Sequence, residues 1–240
     1  MKPRPITDIV WPARQRILVL APHPDDFDAV GVTMRFFHQR GDTLRVAILS
    51  GSASGVLDSF CAPADKAAVR EQEQRNSLRF FGLPDDALTF LRLPEDANGD
   101  PIEDADAIQR ELDASQPNLV VLPHYHDTNV GHRRAYAMFR FCSGLPALLF
   151  RDPKTTEFRC DIFTPFDETA AQWKRKLLLH HRSQEHRNRQ QRRRGFDDRI
   201  LDVNRQLAAE LSCAVPYAEA FQVDGNLSRS LSKNSLVSFE

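Results

Sequence analysis

The chain has 240 residues and a mass of 27.4 kDa, a length that suits one well-buried core. Hydrophobic residues make up 41% and charged residues 27% of the chain, which excludes a wholly disordered or fibrous protein. The formal net charge of -1 excludes a global electrostatic attraction to nucleic acid or to an anionic membrane.

Buried strands alternate with helices along much of the chain. Short, β-branched apolar runs typical of strands buried on both faces occur at residues 17–21, 44–49 and 119–122. Segments that end at a glycine or before a proline, as helices do, cover residues 29–40, 65–81 and 104–115. Weaker patterns predict strands over residues 88–93 and 147–150, and helices over residues 168–181 and 198–211.

This alternation predicts an α/β fold, a three-layer Rossmann-like sandwich in which helices cover both faces of a mostly parallel sheet. We expect residues 1–240 to form a single domain, with residues 226–240, rich in Ser and Asn, as a loosely held tail. Ligands of doubly wound sheets bind outside the carboxyl ends of the strands. The residues that follow each strand are therefore the first candidates for a functional site.

Targeting segments and disulfides are not expected. Residues 1–16 mix prolines with charges, and no apolar run approaches the roughly 20 residues that cross a bilayer. We therefore expect a cytoplasmic protein. The four cysteines are widely spaced and form no C-x-x-C pair, so they are expected to be buried thiols.

A first polar cluster follows the strand predicted at residues 17–21. One imidazole and three carboxylates lie within six residues of sequence: His23, Asp25, Asp26 and Asp28. Packed carboxylates repel one another, and a divalent cation is the simplest way to keep several of them ionised. The spacing lets His23 and Asp26 converge on one ion, which leaves Asp25 to handle a proton. Helix capping would explain one of these carboxylates but not all three.

A second polar cluster follows the strand predicted at residues 119–122. It contains three of the eight histidines, which are His124, His126 and His132. A catalytic zinc generally takes three protein ligands and leaves a position for water, so one of these histidines would complete the set begun by His23 and Asp26. Sequence spacing alone leaves the choice among the three open.

Both clusters resemble motifs of the PIG-L (LmbE-like) family of zinc-dependent N-acetylglucosaminyl deacetylases. The first motif is similar to Ala-Pro-His-Pro-Asp-Asp at residues 21–26, and the second to Asp-Thr-Asn-Val-Gly-His-Arg at residues 127–133. Weaker similarities follow in the family's order at residues 70–73, 181–184 and 217–221. The resemblance implies zinc-dependent removal of the N-acetyl group from an acetylated amino sugar.

The resemblance also implies a role for individual residues. It makes His23, Asp26 and His132 the metal ligands and Asp25 the general base. It places Arg70 in contact with the sugar of the substrate. The cofactor it implies is Zn²⁺, although other divalent first-row ions compete for the same ligands.

The second motif departs from the family's usual His-Pro-Asp-His, because residues 129–132 are Asn-Val-Gly-His. The histidine that stabilises the oxyanion in the family and its aspartate partner are therefore absent. We expect His124 or His126 to take this catalytic role from a shifted position, with Asp127 orienting the ring. Asn129 is the other candidate for contact with the oxyanion of the substrate.

Two alternative functions follow from the same sequence. A PIG-L-like amidase that cleaves another N-acyl or carbamoyl group would use the same metal site. A polyanion-binding module would use the basic stretch at residues 174–194, although the slightly acidic net charge favours a solvated helix face there. We expect a small amino-sugar substrate as the partner, with no nucleic acid and no membrane span.

Overall fold

A computed structural model describes residues 2–12 and 14–224. Within these residues, eight strands form one sheet: β1 (Arg4–Pro5), β2 (Arg16–Ala21), β3 (Thr43–Ile48), β4 (Leu88–Phe90), β5 (Leu119–Pro123), β6 (Ala147–Phe150), β7 (Ile162–Phe166) and β8 (Tyr217–Val223). Their spatial order is β1-β7-β8-β6-β5-β2-β3-β4. The chain winds outward from β2 in one direction through β3 and β4, and in the other through β5 and β6.

Most neighbouring strands run parallel. β2 pairs in parallel with β3 and β5, and the pairs β3–β4, β5–β6 and β1–β7 are parallel as well. β8 is antiparallel to both of its neighbours, β6 and β7. The mostly parallel sheet is therefore confirmed, and the reversal at β8 adds an antiparallel part that the sequence analysis did not predict.

Eight helices accompany these strands in the part of the chain that the structure describes. They are α1 (Asp26–Ala29), α2 (Gly31–Gln39), α3 (Lys66–Phe81), α4 (Ala105–Ser115), α5 (Val130–Cys142), α6 (Glu168–Leu178), α7 (Arg182–Arg192) and α8 (Phe196–Glu210). α3 ends at Gly82, whose φ of 103° gives the left-handed C-cap expected of a glycine there. α4 begins after Asp104, whose side chain accepts a hydrogen bond from the backbone N–H of Ala107.

Helices cover both faces of the sheet because successive residues of a strand point to opposite sides. On one face, Val19 of β2 belongs to a buried cluster with Phe37 of α2 and Phe81 of α3. On the other face, Leu20 belongs to a cluster with Phe139 of α5 and other residues of α4 and α5. The predicted three-layer arrangement is confirmed.

Some predicted elements differ from the structure. The helix predicted over residues 29–40 is divided at Val30, whose φ of -116° and ψ of 22° are not helical, and the short α1 precedes the break. α5 was not predicted, and it begins at Val130, within the second polar cluster. α7 was not predicted, because its buried residues are the polar Ser183, Gln184 and Asn188 and give no apolar periodicity.

The described residues contain four free cysteines and no helix that could span a membrane. Among the described residues, no helix combines the length and the apolarity that crossing a membrane requires. The four cysteines are free, as predicted, but each is half-buried rather than buried. The tail predicted at residues 226–240 lies outside the described residues.

Candidate metal centre and active site

The first polar cluster lies at the carboxyl end of β2, beside the point where the strand order reverses between β2 and β5. His23 follows β2, and Asp26 begins α1. Asp26 Oδ2 accepts a hydrogen bond of 2.8 Å from the backbone N–H of His23 and lies 3.2 Å from His23 Nδ1. This turn holds the imidazole and the carboxylate side by side, at the position where doubly wound sheets bind ligands.

His132 reaches the same point from α5. Its Nε2 atom lies 3.4 Å from Asp26 Oδ1, and the centroids of the His132 and His23 rings are 5.2 Å apart. Asn129 is the N-cap of α5, and its side-chain oxygen accepts a 2.9 Å hydrogen bond from the backbone N–H of Gly131. This cap fixes the first turn of α5 and with it the position of His132.

Gly131 provides the space that the His23 ring occupies. A Cβ atom at residue 131 would lie 2.9 Å from His23 Nε2 and 3.2 Å from the side chain of Pro101. Carbon and nitrogen atoms do not approach so closely without displacement of one of them. The glycine that departs from the usual family motif is therefore required by the packing of this site.

The donor atoms of this cluster suit a divalent cation. One ligand atom each from His23, Asp26 and His132 lies within 4.8 Å of the others. Two imidazole nitrogens and one carboxylate match the ligand set of catalytic zinc sites, which leave a position for water. One ligand atom each from Asp127, His132 and Asp152 also lies within 4.8 Å of the others. Because Asp127 Oδ2 lies 3.1 Å from His132 Nδ1, Asp127 orients the His132 ring from the side opposite Nε2.

Burial and neighbouring opposite charges shift the pKa values of Asp26 and His132 in opposite directions. Burial alone raises the pKa of the Asp26 carboxyl, but His132 and His23 outweigh it, and that pKa lies well below its ordinary value. Burial also lowers the pKa of His132, yet Asp26 and Asp127 raise it to about 10. Asp26 is therefore ionised, and His132 carries a proton that a metal ion would displace.

Asp25 faces the same cavity as the candidate ligands and forms an ion pair with an arginine. Its backbone φ of 149° belongs to a region that residues other than glycine rarely adopt, and such strain is concentrated at functional sites. Its Oδ2 atom lies 3.2 Å from Nη2 of Arg70, a buried residue of α3. The Nε and Nη1 atoms of Arg70 are buried and make no hydrogen bond with the described residues, although Nη1 lies 3.8 Å from Glu73 Oε2. Arg70 thus orients Asp25.

A cavity of about 330 Å³ extends from these residues. Asn129 and Asp152 line it next to His132. Burial raises the pKa of the Asp152 carboxyl, and Asp127 and Asp26 add to this effect although His132 opposes it. Asp152 was not predicted from the sequence. Its position two residues after β6, at the same edge of the sheet as the two polar clusters, could have indicated it.

His124 and His126 do not line the cavity. The Nε2 atom of His124 lies 3.1 Å from Oε1 of Gln222 in β8, and its Nδ1 accepts a hydrogen bond from the backbone N–H of His126. The half-exposed ring of His126 lies 3.8 Å from Glu157. Asp127 orients His132 instead of either ring. The geometry gives no support to the oxyanion role expected of His124 or His126.

Asp28 points away from the candidate metal ligands into the protein interior. It accepts hydrogen bonds from Gln74 (3.1 Å) and from Ser77, both in α3, and its Oδ2 lies 2.8 Å from His181 Nε2. Asp28 therefore connects α1 with α3 and with His181, the residue that precedes α7.

The basic stretch at residues 174–194 does not form one continuous face. Lys174 is fully buried and pairs with Glu219, whereas Arg189 pairs with Glu185. Other cations of the stretch line the cavity, among them Arg187 and Arg192. The cations of the stretch are therefore divided between the interior, surface ion pairs and the cavity, and do not form the single basic surface that polyanion binding would need.

The candidate metal ligands lie in a segment that matches the profile of a known protein family. The sequence profile of the PIG-L family, described as GlcNAc-PI de-N-acetylase, matches residues 18–142. This segment contains His23, Asp25, Asp26, Arg70 and His132. No curated protein matches the chain.

Solved structures share the fold at low sequence identity. N,N'-diacetylchitobiose deacetylase from Pyrococcus horikoshii is 17% identical, with a TM-score of 0.70 over 94% of this chain and 87% of that chain. A teicoplanin deacetylase, in a zinc-inhibited form, is 17% identical, with a TM-score of 0.66 over 87% of this chain and 97% of that chain. A conserved protein from Thermus thermophilus is 21% identical, with a TM-score of 0.64 over 86% of this chain and 93% of that chain.

Proposed function

The chain belongs to the PIG-L family, and on this basis we propose that it hydrolyses the N-acetyl group of an acetylated amino sugar with the help of a bound divalent metal, releasing acetate. The observation that carries the proposal is the convergence of His23, Asp26 and His132 at one edge of the sheet, with Asp25 facing the same cavity. Ligands and base from two separate chain segments, brought together beside a polar cavity, are what such a hydrolase requires.

His23, Asp26 and His132 would hold the metal, and zinc fits this donor set. When bound, such an ion supplies Lewis acidity, which lowers the pKa of a water molecule to about 7 and polarises a carbonyl group. Asp127 keeps His132 in the orientation that presents Nε2 to the site.

Asp25 is the proposed general base. Its carboxylate removes a proton from water as the bond from the water oxygen to the acetyl carbon forms. The same proton then passes to the amine nitrogen as the carbon–nitrogen bond breaks, which releases acetate and a free amino sugar. Arg70 fixes the carboxylate for both steps through its contact of 3.2 Å.

Asn129 is the proposed donor to the oxyanion, in place of His124 or His126. Its Oδ1 atom is used by the backbone N–H of Gly131, and its Nδ2 atom has no hydrogen-bond partner among the described residues. An amide donor beside the reacting carbonyl stabilises the charge that develops there. Arg70 and Asp152 line the cavity and are the proposed contacts for sugar hydroxyls.

Acetate release from N-acetyl amino sugars, together with the metal content of the protein, tests the proposal. Asp25→Asn is expected to lower kcat by about 10²–10⁴-fold while one metal ion per chain is retained. His132→Ala is expected to lose the metal itself. Equal turnover by Asp25→Asn and the parent would remove the base from the mechanism. Elemental analysis that finds no transition metal in active protein would refute the metal site.

The choice of metal and of acyl group needs its own measurement. Because one structural neighbour is described in a zinc-inhibited form, the assay compares one equivalent of Zn²⁺ with an excess and with Co²⁺ and Mn²⁺. A panel of N-acetyl, N-carbamoyl and longer N-acyl glucosamines distinguishes a deacetylase from an amidase of other specificity. A clear preference for a longer acyl group would replace the acetyl substrate while leaving the metal site in place.

A further inference from the structure

The side chain of Glu73, which has no role in the proposed mechanism, joins α3 to the first turn of α7. It is 7% exposed, and it belongs to one of the segments with weaker similarity to the family, residues 70–73. Its Oε1 atom accepts a 2.6 Å hydrogen bond from the backbone N–H of Ser183, and its Oε2 atom accepts a 2.7 Å hydrogen bond from the Ser183 hydroxyl. Two of the weaker similarities, at residues 70–73 and 181–184, therefore meet in space.

The contacts with Ser183 do not by themselves account for a carboxylate at this position. Neutral side chains also cap helices and satisfy the free N–H groups of a first turn. Burying an ionised carboxylate costs free energy unless a cation lies close to it. Arg70, three residues earlier in α3, supplies that cation, because its Nη1 atom lies 3.8 Å from Glu73 Oε2.

Arg70 lies between two carboxylates, Glu73 and the proposed base Asp25. Its Nη2 atom, the other terminal nitrogen of the guanidinium group, lies 3.2 Å from Asp25 Oδ2. Arg70 is 2% exposed, and its Nε and Nη1 atoms make no hydrogen bond with the described residues. Because a guanidinium group is planar and rigid, a charge that holds Nη1 also determines the direction of Nη2.

The orientation of the Asp25 carboxylate depends on this arrangement. In the part of the chain that the structure describes, its only ion pair is the one with Arg70. Arg187 and Arg199 act on Asp25 from a greater distance, since burial lowers the pKa of each and the charge of Asp25 opposes that effect. An attraction over a longer distance does not select one orientation, so the contact with Arg70 is the one that fixes the carboxylate.

We propose that Glu73 is a positioning residue for the general base, because it holds the Arg70 guanidinium in the orientation that directs Nη2 at Asp25. The inference rests on the proposed function, since it takes Asp25 as the base. Glu73 is not among the described residues that line the cavity, so it acts through Arg70 and not on the substrate. The hydrogen bonds from Ser183 hold Glu73 in turn, and they connect the base with α7.

Glu73→Gln tests the inference in the metal-loaded protein. Glutamine keeps the length of the side chain and an oxygen for Ser183, but it removes the charge that faces Arg70. We expect kcat for acetate release from N-acetylglucosamine to fall by about 10–100-fold, the loss that follows a small displacement of a catalytic group. A kcat equal to that of the parent would overturn the inference.

Glu71→Gln is the matched control, because it removes the same charge from the same helix at a residue that pairs with Arg92 instead. Its kcat should equal that of the parent. The Asp25→Asn background separates positioning of the base from a general loss of structure. In that background Glu73→Gln should lower kcat by no more than about twofold, because the group on which it acts is gone. Losses that multiply in the double variant, or equal losses in Glu71→Gln and Glu73→Gln, would contradict the positioning role.

A measurement without substrate separates this inference from the proposed function. Heteronuclear NMR follows the Nε–H proton of Arg70 in the full chain, and its signal is identified by its absence in Arg70→Lys. In Glu73→Gln this proton should exchange with solvent at least about tenfold faster than in the parent and in Glu71→Gln, because the guanidinium group is no longer held. Faster exchange without any deacetylation would reject the proposed function and still support the contact that positions Arg70. Unchanged exchange refutes the inference even when deacetylation is observed.

Discussion

At the scale of single residues, His132 has two carboxylate neighbours with different tasks. Asp26 lies at Nε2, on the side of the proposed metal, and Asp127 lies at Nδ1. A carboxylate at Nδ1 holds a proton there and leaves Nε2 for the metal. Asp127 was expected to orient His124 or His126, but in the structure it contacts His132, a proposed metal ligand.

Asp127→Asn is therefore expected to weaken metal binding by about 10–100-fold, because the asparagine keeps the shape but not the charge behind His132. Competition with a chelator of known affinity measures the effect. Thr155→Val is the control, since Thr155 donates to the same Oδ2 atom at 3.3 Å but carries no charge. Metal affinity equal to that of the parent in Asp127→Asn would contradict this role.

Gly131→Ala tests the packing of the His23 ring. The added methyl group would lie 2.9 Å from His23 Nε2, so the ring must shift away from its position beside Asp26. Small displacements of catalytic groups cost about a hundredfold in rate, and we expect a loss of that order in kcat/KM. Thermal unfolding of the metal-free protein should change less than the rate, since the higher helix propensity of alanine offsets part of the cost of the close contacts with His23 and Pro101. A kcat/KM equal to that of the parent would show that the His23 ring tolerates the added methyl group without a harmful displacement.

At the scale of elements, α1 has only four residues, so contacts with neighbouring elements hold it in place. Lys174 of α6 is fully buried and donates to the backbone oxygen of Ala29 (2.6 Å), to Asn204 (2.8 Å) and to Glu219 (2.7 Å). Burial lowers the pKa of Lys174, and Glu219 offsets part of that effect. This buried ion pair joins the end of α1 to α6, α8 and β8, and so fixes the helix that carries Asp26, a proposed metal ligand.

Lys174→Met is expected to destabilise the fold by about 3–5 kcal/mol, because it leaves the Glu219 carboxylate buried without its cation. The double variant Lys174→Met/Glu219→Leu removes both charges and should recover much of that loss. Denaturant unfolding of the two single variants and the double variant gives the coupling energy. Additive losses in this cycle would show that the two side chains do not interact.

At the scale of the whole molecule, the proposed metal would join two parts of the chain that are distant in sequence. His23 and Asp26 follow β2, and His132 lies in α5 after β5, so one ion would connect both sides of the point where the strand order reverses. A ligand that binds only the folded protein stabilises it by mass action.

Metal removal is therefore expected to lower the melting temperature. At a free metal concentration about 1,000 times the Kd, the linked stabilisation is about 4 kcal/mol, which corresponds to a shift of roughly 10 °C for a chain of this size. Calorimetric scans with and without a chelator measure the shift. His132→Ala should show the lower melting temperature under both conditions, and an equal chelator effect in this variant would place the metal elsewhere.

The sequence by itself determined the alternation of strands and helices and the two polar clusters at strand ends. Apolar runs and helix stop signals are local features, so β2, β3, β5, α3 and α4 could be predicted from their own residues. The sheet rule predicted that both clusters meet at one edge, because carboxyl ends of neighbouring parallel strands lie together. Resemblance to a family then selected His132 from among three histidines.

Only the tertiary structure decided which polar side chains face the cavity. His124 and His126 lie close to His132 in sequence, but His124 contacts β8 and His126 is half-exposed, because the direction of a side chain depends on what packs around it. α7 could not be predicted from apolar spacing, since its buried face is polar. The cavity that Arg187 and Arg192 of α7 line is formed by distant parts of the chain, so their position beside it could not be predicted either.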